Sequence, residues 1–161
     1  DAAEDLPDGV TIDVYGTLGF DLPGTVFDGR RNVTYHGAVE RDRVHDVLAS
    51  HDALVLPTYY PAEGYPGVIL EAYAAGIPVI STRTGAIPEL VDASTGILVE
   101  PRDVGSLRAA MLSLVEEPGL CDRLRQGVRE RRQEFSDDVW QERFVRYCRN
   151  VYDAAAQAQK R

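Results

Sequence analysis

Between Leu54 and Glu89 the chain reads LVLPTYYPAEGYPGVILEAYAAGIPVISTRTGAIPE, and this order of segments restricts the fold more than any other stretch. The apolar run Leu54-Val55-Leu56, closed by Pro57, predicts a buried strand. A polar loop follows, carrying Glu63, Gly64 and Tyr65. Pro66 has its φ preset for a helix start, and Val68, Ile69, Ala72 and Tyr73 recur at helical spacing. Gly76 closes that helix, and Ile77-Pro78-Val79-Ile80-Ser81 opens a second buried strand. In such a strand–loop–helix–strand unit the loop and helix start lie at a strand's carboxyl end. Open parallel sheets bind ligands there, and helix N-termini attract phosphates.

The flanking segments extend the same alternation. Val10 to Tyr15 and Asn32 to Gly37 predict strands, and Arg41 to Ser50 a helix with Val44, Val47 and Leu48 on one face. After the turn Thr84-Gly85-Ala86, Ile87 to Val91 predicts a short helix and Thr95 to Glu100 the last strand. Asp103 is a natural N-cap for a helix over Val104 to Glu116, with Leu107, Ala110, Met111 and Leu114 as its apolar stripe. The helix over Leu120 to Phe135 interleaves Arg123, Arg125, Arg129, Arg131 and Arg132 with Asp122, Glu130 and Glu134, which predicts a salt-bridged, solvated face. Ser136-Asp137-Asp138 caps a final helix, and its stripe of Trp140, Phe144, Tyr147 or Cys148, and Val151 is expected to pack into the core. An Ala/Gln-rich end runs from Ala154 to Gln159. The whole predicts an α/β fold, a doubly wound parallel sheet of about five strands.

Length and charge narrow the function. With 161 residues the chain suffices for one domain and not two ordinary ones. A net charge of −9 argues against a nucleic-acid surface and leaves no polybasic membrane patch. No apolar run approaches the roughly 20 residues of a membrane span. Cys121 and Cys148 are too few for a disulfide framework and join no metal-like cluster. The glycines at 16, 19 and 24 lack the spacing of a dinucleotide fingerprint, and no P-loop is present. A phosphoacceptor module needs a lysine at a strand end, whereas the sole lysine, Lys160, lies in the tail.

Within the central unit the two glutamates differ. Glu63 in the loop suits hydroxyls of a ligand held against the helix start, and Glu71, one turn deeper, suits a second hydroxylated group such as a ribose. Between them the free N–H groups of Gly67 and Val68 suit an anion. Solvated roles for both carboxylates remain the alternative. His36 ends a strand and is read as lining it rather than as a base; His45 and His51 are read as helix-surface and helix-end residues.

Taken in order, Glu63-Gly64-Tyr65-Pro66, Glu71-Ala72, Gly76 to Ile80, Gly85-Ala86-Ile87-Pro88-Glu89 and Thr95 to Val99 resemble the donor-site signature of family 4 glycosyltransferases. Those are retaining enzymes of the GT-B fold, and the signature is two glutamates separated by seven residues. The resemblance covers roughly Val10 to Val115. It implies a Rossmann-like sheet with helices on both faces, the C-terminal half of a GT-B enzyme. Residues 1–161 then form a single nucleotide-sugar (donor) binding domain, with the N-terminal acceptor domain absent.

The resemblance also assigns roles. Glu63 becomes the candidate catalytic residue, holding hydroxyls of the transferred sugar and not acting as a general base. Gly64, Tyr65, Pro66, Gly67 and Val68 approach sugar and phosphates, and Glu71 holds the ribose. Gly16, at the end of the first strand, and Gly37 with Val39 line the nucleotide, the base being met through backbone groups. Ala86 stands where the family has a second glycine, with its N–H expected to be free for a phosphate or sugar hydroxyl. No cofactor and no metal are expected. The expected partners are a UDP-, GDP- or ADP-hexose and, through the absent domain, a glycan, lipid or small-molecule acceptor. The arginine and lysine that grip the diphosphate in the family have no counterpart before Val10. The terminal helix of such enzymes crosses to the other domain, so part of the aromatic stripe is an expected interface. A cytoplasmic location follows, with peripheral attachment at the inner membrane face through the absent domain left open. A noncatalytic nucleotide- or sugar-phosphate-binding module and a GT-B sugar-nucleotide epimerase remain the alternatives.

Overall fold

The computed structural model describes residues 1–158 apart from Asp5, Phe20, Asp21, Leu22 and Gly24. The expected loop glycine Gly24 and the tail residues Gln159 and Lys160 therefore lie outside the described residues.

All five expected strands form: β1 Ile12–Tyr15, β2 Val33–Gly37, β3 Leu54–Leu56, β4 Val79–Thr82 and β5 Gly96–Val99. All their pairings are parallel, each crossover running through an intervening connection rather than a tight hairpin. The ladders divide into a pair, β1–β2, and a triplet, β3–β4–β5, instead of running through one sheet. Apolar periodicity locates strands but says nothing about which edges meet. The helices are α1 Val44–Ala49, α2 Gly67–Ala75, α3 Ile87–Leu90, α4 Val104–Glu116, α5 Leu120–Arg131 and α6 Asp137–Ala158. Short 3-10 turns precede α1 and follow α5.

β4 is buried along its whole length because it has a strand on each side and helices over each face. Its alternating side chains enter two cores. Val79 joins Leu48 of α1, Ile69, Ala72 and Tyr73 of α2, Ile87 and Leu90 of α3, and Val128 of α5. Ile80 joins Leu6, Val99 and the α4 residues Ala110 and Met111. This places helices on both faces, as a doubly wound sheet demands. Tyr73 carries the largest buried side chain, and its hydroxyl is met by the Leu90 carbonyl at 2.8 Å and the Thr95 hydroxyl at 2.9 Å. Burial pushes the Tyr73 phenol up to about 12, so it remains a neutral donor.

Leu124 and Val128 of α5 pack inward, while three of its arginines find partners beyond their own helix. Arg125 pairs with Asp52 at 2.6 Å and Arg123 with Glu117 at 2.5 Å. Arg131 reaches the expected Glu134 at 3.6 Å and also donates to the Glu89 carbonyl at 2.8 Å. One expectation fails on α6. Trp140, Phe144, Tyr147 and Val151 do recur on one face, but they are 49%, 67%, 68% and 52% exposed, so the stripe is not core. Helical spacing identifies an apolar face without naming what covers it. Among the described residues no helix is long and apolar enough to cross a membrane.

Candidate functional site

Glu63 is fixed through both its backbone and its side chain. Its N–H donates to the Tyr60 carbonyl at 3.1 Å, closing a turn in the loop between β3 and α2. Its carbonyl accepts from the Ala86 N–H at 3.3 Å, and its Oε2 accepts from the Thr58 hydroxyl at 2.9 Å. The turn after β4 is thereby pinned to the loop after β3. Gly85 makes that approach feasible: it holds φ +53, and a Cβ there would lie 1.9 Å from the Glu63 carbonyl oxygen. Ala86 therefore does not offer the free N–H expected of it, because the donor is engaged by Glu63.

The loop's far side is held by Tyr65, whose hydroxyl donates to the Glu89 carboxylate. That hydrogen bond raises the Tyr65 phenol above its ordinary range. Pro66 caps α2 with extended backbone, and its carbonyl accepts from Ile69 at 3.0 Å. No side chain caps this helix, and among the described residues the Gly67 and Val68 N–H groups find no acceptor. These donors, at the positive end of the helix dipole, suit an anion. Glu71 follows one turn later, half-buried, with no salt bridge among the described residues. The structure thus brings Glu63, Gly64, Tyr65, Pro66, Gly67, Val68 and Glu71 into one loop-and-helix surface at the carboxyl end of β3.

Gly16, Gly37 and Val39 form a separate group at the ends of β1 and β2. Gly16 donates to the Gly37 carbonyl at 2.8 Å, and its own carbonyl accepts from the Tyr35 hydroxyl at 2.7 Å. Both glycines have positive φ, +126 and +76, and Val39 follows half-buried. His36 lines the strand end as expected, with its Nε2 2.5 Å from Asp13 Oδ1 and its ring stacked on Tyr15 at 4.8 Å. His51 does more than end a helix. Its Nδ1 lies 2.6 Å from the Val47 carbonyl and its Nε2 3.3 Å from Asp13 Oδ2. His51 thus bridges the α1 backbone and the Asp13 carboxylate. The His36 hydrogen bond is the main reason the Asp13 carboxyl sits below its ordinary range. Among the described residues no cluster of His, Cys, Asp and Glu has a metal-holding arrangement.

A concavity of about 180 Å³ bounded by Pro57, Tyr59, Thr82, Val99, Arg102 and Leu107 opens beside the same loop but includes neither Glu63 nor Glu71. The glutamate surface itself is open. Sequence reasoning missed Thr58, the Gly85 close approach and the Arg131–Glu89 contact. Each is a pairing between segments, for which the chain carries no spacing signal.

An uncapped helix start between two carboxylates, at the carboxyl end of a parallel strand, has the chemistry of a site for a polyhydroxylated anion. The chain belongs to the glycosyl transferases group 1 family, whose model matches residues 11–117. It is 34% identical over 112 residues to glycogen synthase of Mycobacterium tuberculosis, an alignment covering 69% of this chain and 26% of that protein. Among solved structures, sucrose-phosphate synthase from Thermosynechococcus elongatus superposes with a TM-score of 0.64 at 27% identity, covering 76% of this chain and 31% of that one. Anabaena Alr3699/HepE, solved in complex with UDP and glucose, shares the fold with a TM-score of 0.77 at 19% identity, covering 92% of this chain and 43% of its own. The chain spans about a quarter of the length of the glycogen synthase it matches. The matched region agrees closely with the span of the family resemblance, roughly Val10 to Val115.

Proposed function

We propose that this chain is the donor-binding part of a retaining glycosyltransferase, taking a nucleotide-activated hexose at the surface formed by the β3–α2 loop and α2. The observation that carries the reading is the fixed position of Glu63 beside the uncapped start of α2, with Glu71 one turn deeper. In this reading Glu63 accepts hydrogen bonds from hydroxyls of the transferred sugar. The Gly67 and Val68 N–H groups meet the diphosphate, whose charge grows as the sugar departs. Glu71 holds the ribose, and the base lies toward Gly16, Gly37 and Val39. The reading calls on no resident metal or cofactor, since helix N–H groups face the leaving group. The UDP and glucose bound by Alr3699/HepE, which has this fold, are of the same chemical class. Transfer to a glycan, lipid or small-molecule acceptor belongs to the whole enzyme.

Calorimetric titration with UDP, GDP and ADP, repeated on Glu71→Ala, tests the reading. Loss of a charge-assisted ribose contact is expected to weaken the preferred nucleotide by about 1.5–3 kcal/mol, roughly 10- to 150-fold. Unchanged binding by the variant removes Glu71 from the site.

A further inference from the structure

Thr58 stands five residues before Glu63, on an exposed loop, yet the core holds it in place. Thr82, buried in β4, donates its hydroxyl to the Thr58 carbonyl at 2.5 Å, with Thr84 Oγ1 3.1 Å from the same hydroxyl. The Thr58 side chain is thereby held where its Oγ1 accepts from the Tyr60 N–H at 3.2 Å and donates its one proton to Glu63 Oε2 at 2.9 Å. A hydroxyl carries one proton, so with Tyr60 as its donor Thr58 is committed to giving that proton to the glutamate. The other carboxylate oxygen, Oε1, has no partner among the described residues. The rigid core of β4 thus reaches Glu63 through two hydroxyls in series, and it engages one oxygen while leaving the other to a ligand.

We propose that Thr58 is a positioning residue for the sugar subsite: its hydroxyl fixes the Glu63 carboxylate so that a single oxygen, Oε1, faces the hydroxyls of the transferred sugar. The inference rests on the donor-site reading above and adds to it a residue that touches neither nucleotide nor sugar. Its effect is confined to the sugar, because the diphosphate and ribose meet α2 and not the Thr58 side chain. Thr58→Val removes the hydroxyl while keeping the branched shape and the backbone carbonyl that Thr82 uses. Thr58→Ser restores a hydroxyl.

The test measures affinity for three pairs, UDP and UDP-glucose, GDP and GDP-mannose, ADP and ADP-glucose, and follows the pair bound best by the unmodified chain. The readout is the ratio of sugar-nucleotide affinity to nucleotide affinity. Thr58→Val is expected to lower that ratio about 5- to 10-fold, as loss of one hydrogen bond to a charged group predicts, while nucleotide affinity changes less than about 2-fold. Thr58→Ser is expected to restore the ratio, and Glu63→Gln to lower it at least as far as Thr58→Val. An unchanged ratio in Thr58→Val overturns the proposal. So does a serine variant that behaves like valine, or an equal loss for sugar-nucleotide and nucleotide, which marks a merely structural residue. If Glu63→Gln leaves the ratio intact, or no pair binds, the donor-site reading itself falls and the proposal with it.

Discussion

Replacing Gly85 by alanine tests whether the loop after β3 and the turn after β4 form one rigid site. The added Cβ would lie 1.9 Å from the Glu63 carbonyl oxygen and 2.9 Å from its carbon, both backbone atoms, so no side-chain rotation relieves the clash. The carbonyl has to retreat by roughly 1.5 Å to reach van der Waals contact. That retreat breaks the 3.3 Å hydrogen bond from the Ala86 N–H, a loss of about 1 kcal/mol. Holding alanine at the left-handed φ costs about another 1–2 kcal/mol. Together the substitution is expected to destabilise the chain by about 2–3 kcal/mol. Denaturant unfolding measures this directly, with Gly105→Ala as the contrast. Gly105 lies in the first turn of α4, where the nearest atom to a new Cβ is a flexible Asp103 oxygen at 3.4 Å, and alanine there is expected to be neutral or stabilising by up to about 1 kcal/mol. Opposite signs at the two glycines support the locked loop. A Gly85→Ala cost below about 0.5 kcal/mol would refute the reasoning, since the loop would then be free to move away.

Three further outcomes are expected. Tyr73→Phe leaves the Leu90 carbonyl and Thr95 hydroxyl without their buried partner and is expected to cost about 1–2 kcal/mol, read as a Tm fall of a few degrees. Asp13→Asn is expected to cost about 1 kcal/mol at neutral pH, because Asp13 links β2 to the segment before β3 through His36 and His51, beside Tyr15. Since those hydrogen bonds lower the Asp13 pKa in the folded chain, its contribution is complete above about pH 4 and disappears as pH falls further. Unfolding measured from pH 3 to 7 should show the two proteins converging at the acid end, and a constant difference would refute it. Arg102 is the one non-glycine residue with positive φ among those described, and its guanidinium lies 4.6 Å from the centroid of the Tyr59 ring. Arg102→Gly relieves about 1–2 kcal/mol of backbone strain and forfeits about 0.5–1 kcal/mol of cation–π attraction, so thermal melting should show a small gain.

By itself the sequence determined the alternation of elements and the place of the glutamate pair. Apolar runs such as Leu54-Val55-Leu56, the Pro66 helix start, the Gly76 stop and the Asp103 cap are local signals, each written within a few residues and set by backbone sterics and hydrogen-bonding needs. The outline of the candidate site was legible because Glu63, Gly67, Val68 and Glu71 lie on one continuous loop and helix. Only the tertiary structure decided what crosses between segments. It divided the strands into a pair and a triplet, left the α6 stripe uncovered, gave the Ala86 N–H to Glu63, and joined Asp13 to His36 and His51. Packing and hydrogen bonding between distant residues depend on which surfaces meet, and a side chain such as Thr58 gains its role only when β4 comes to lie beneath it.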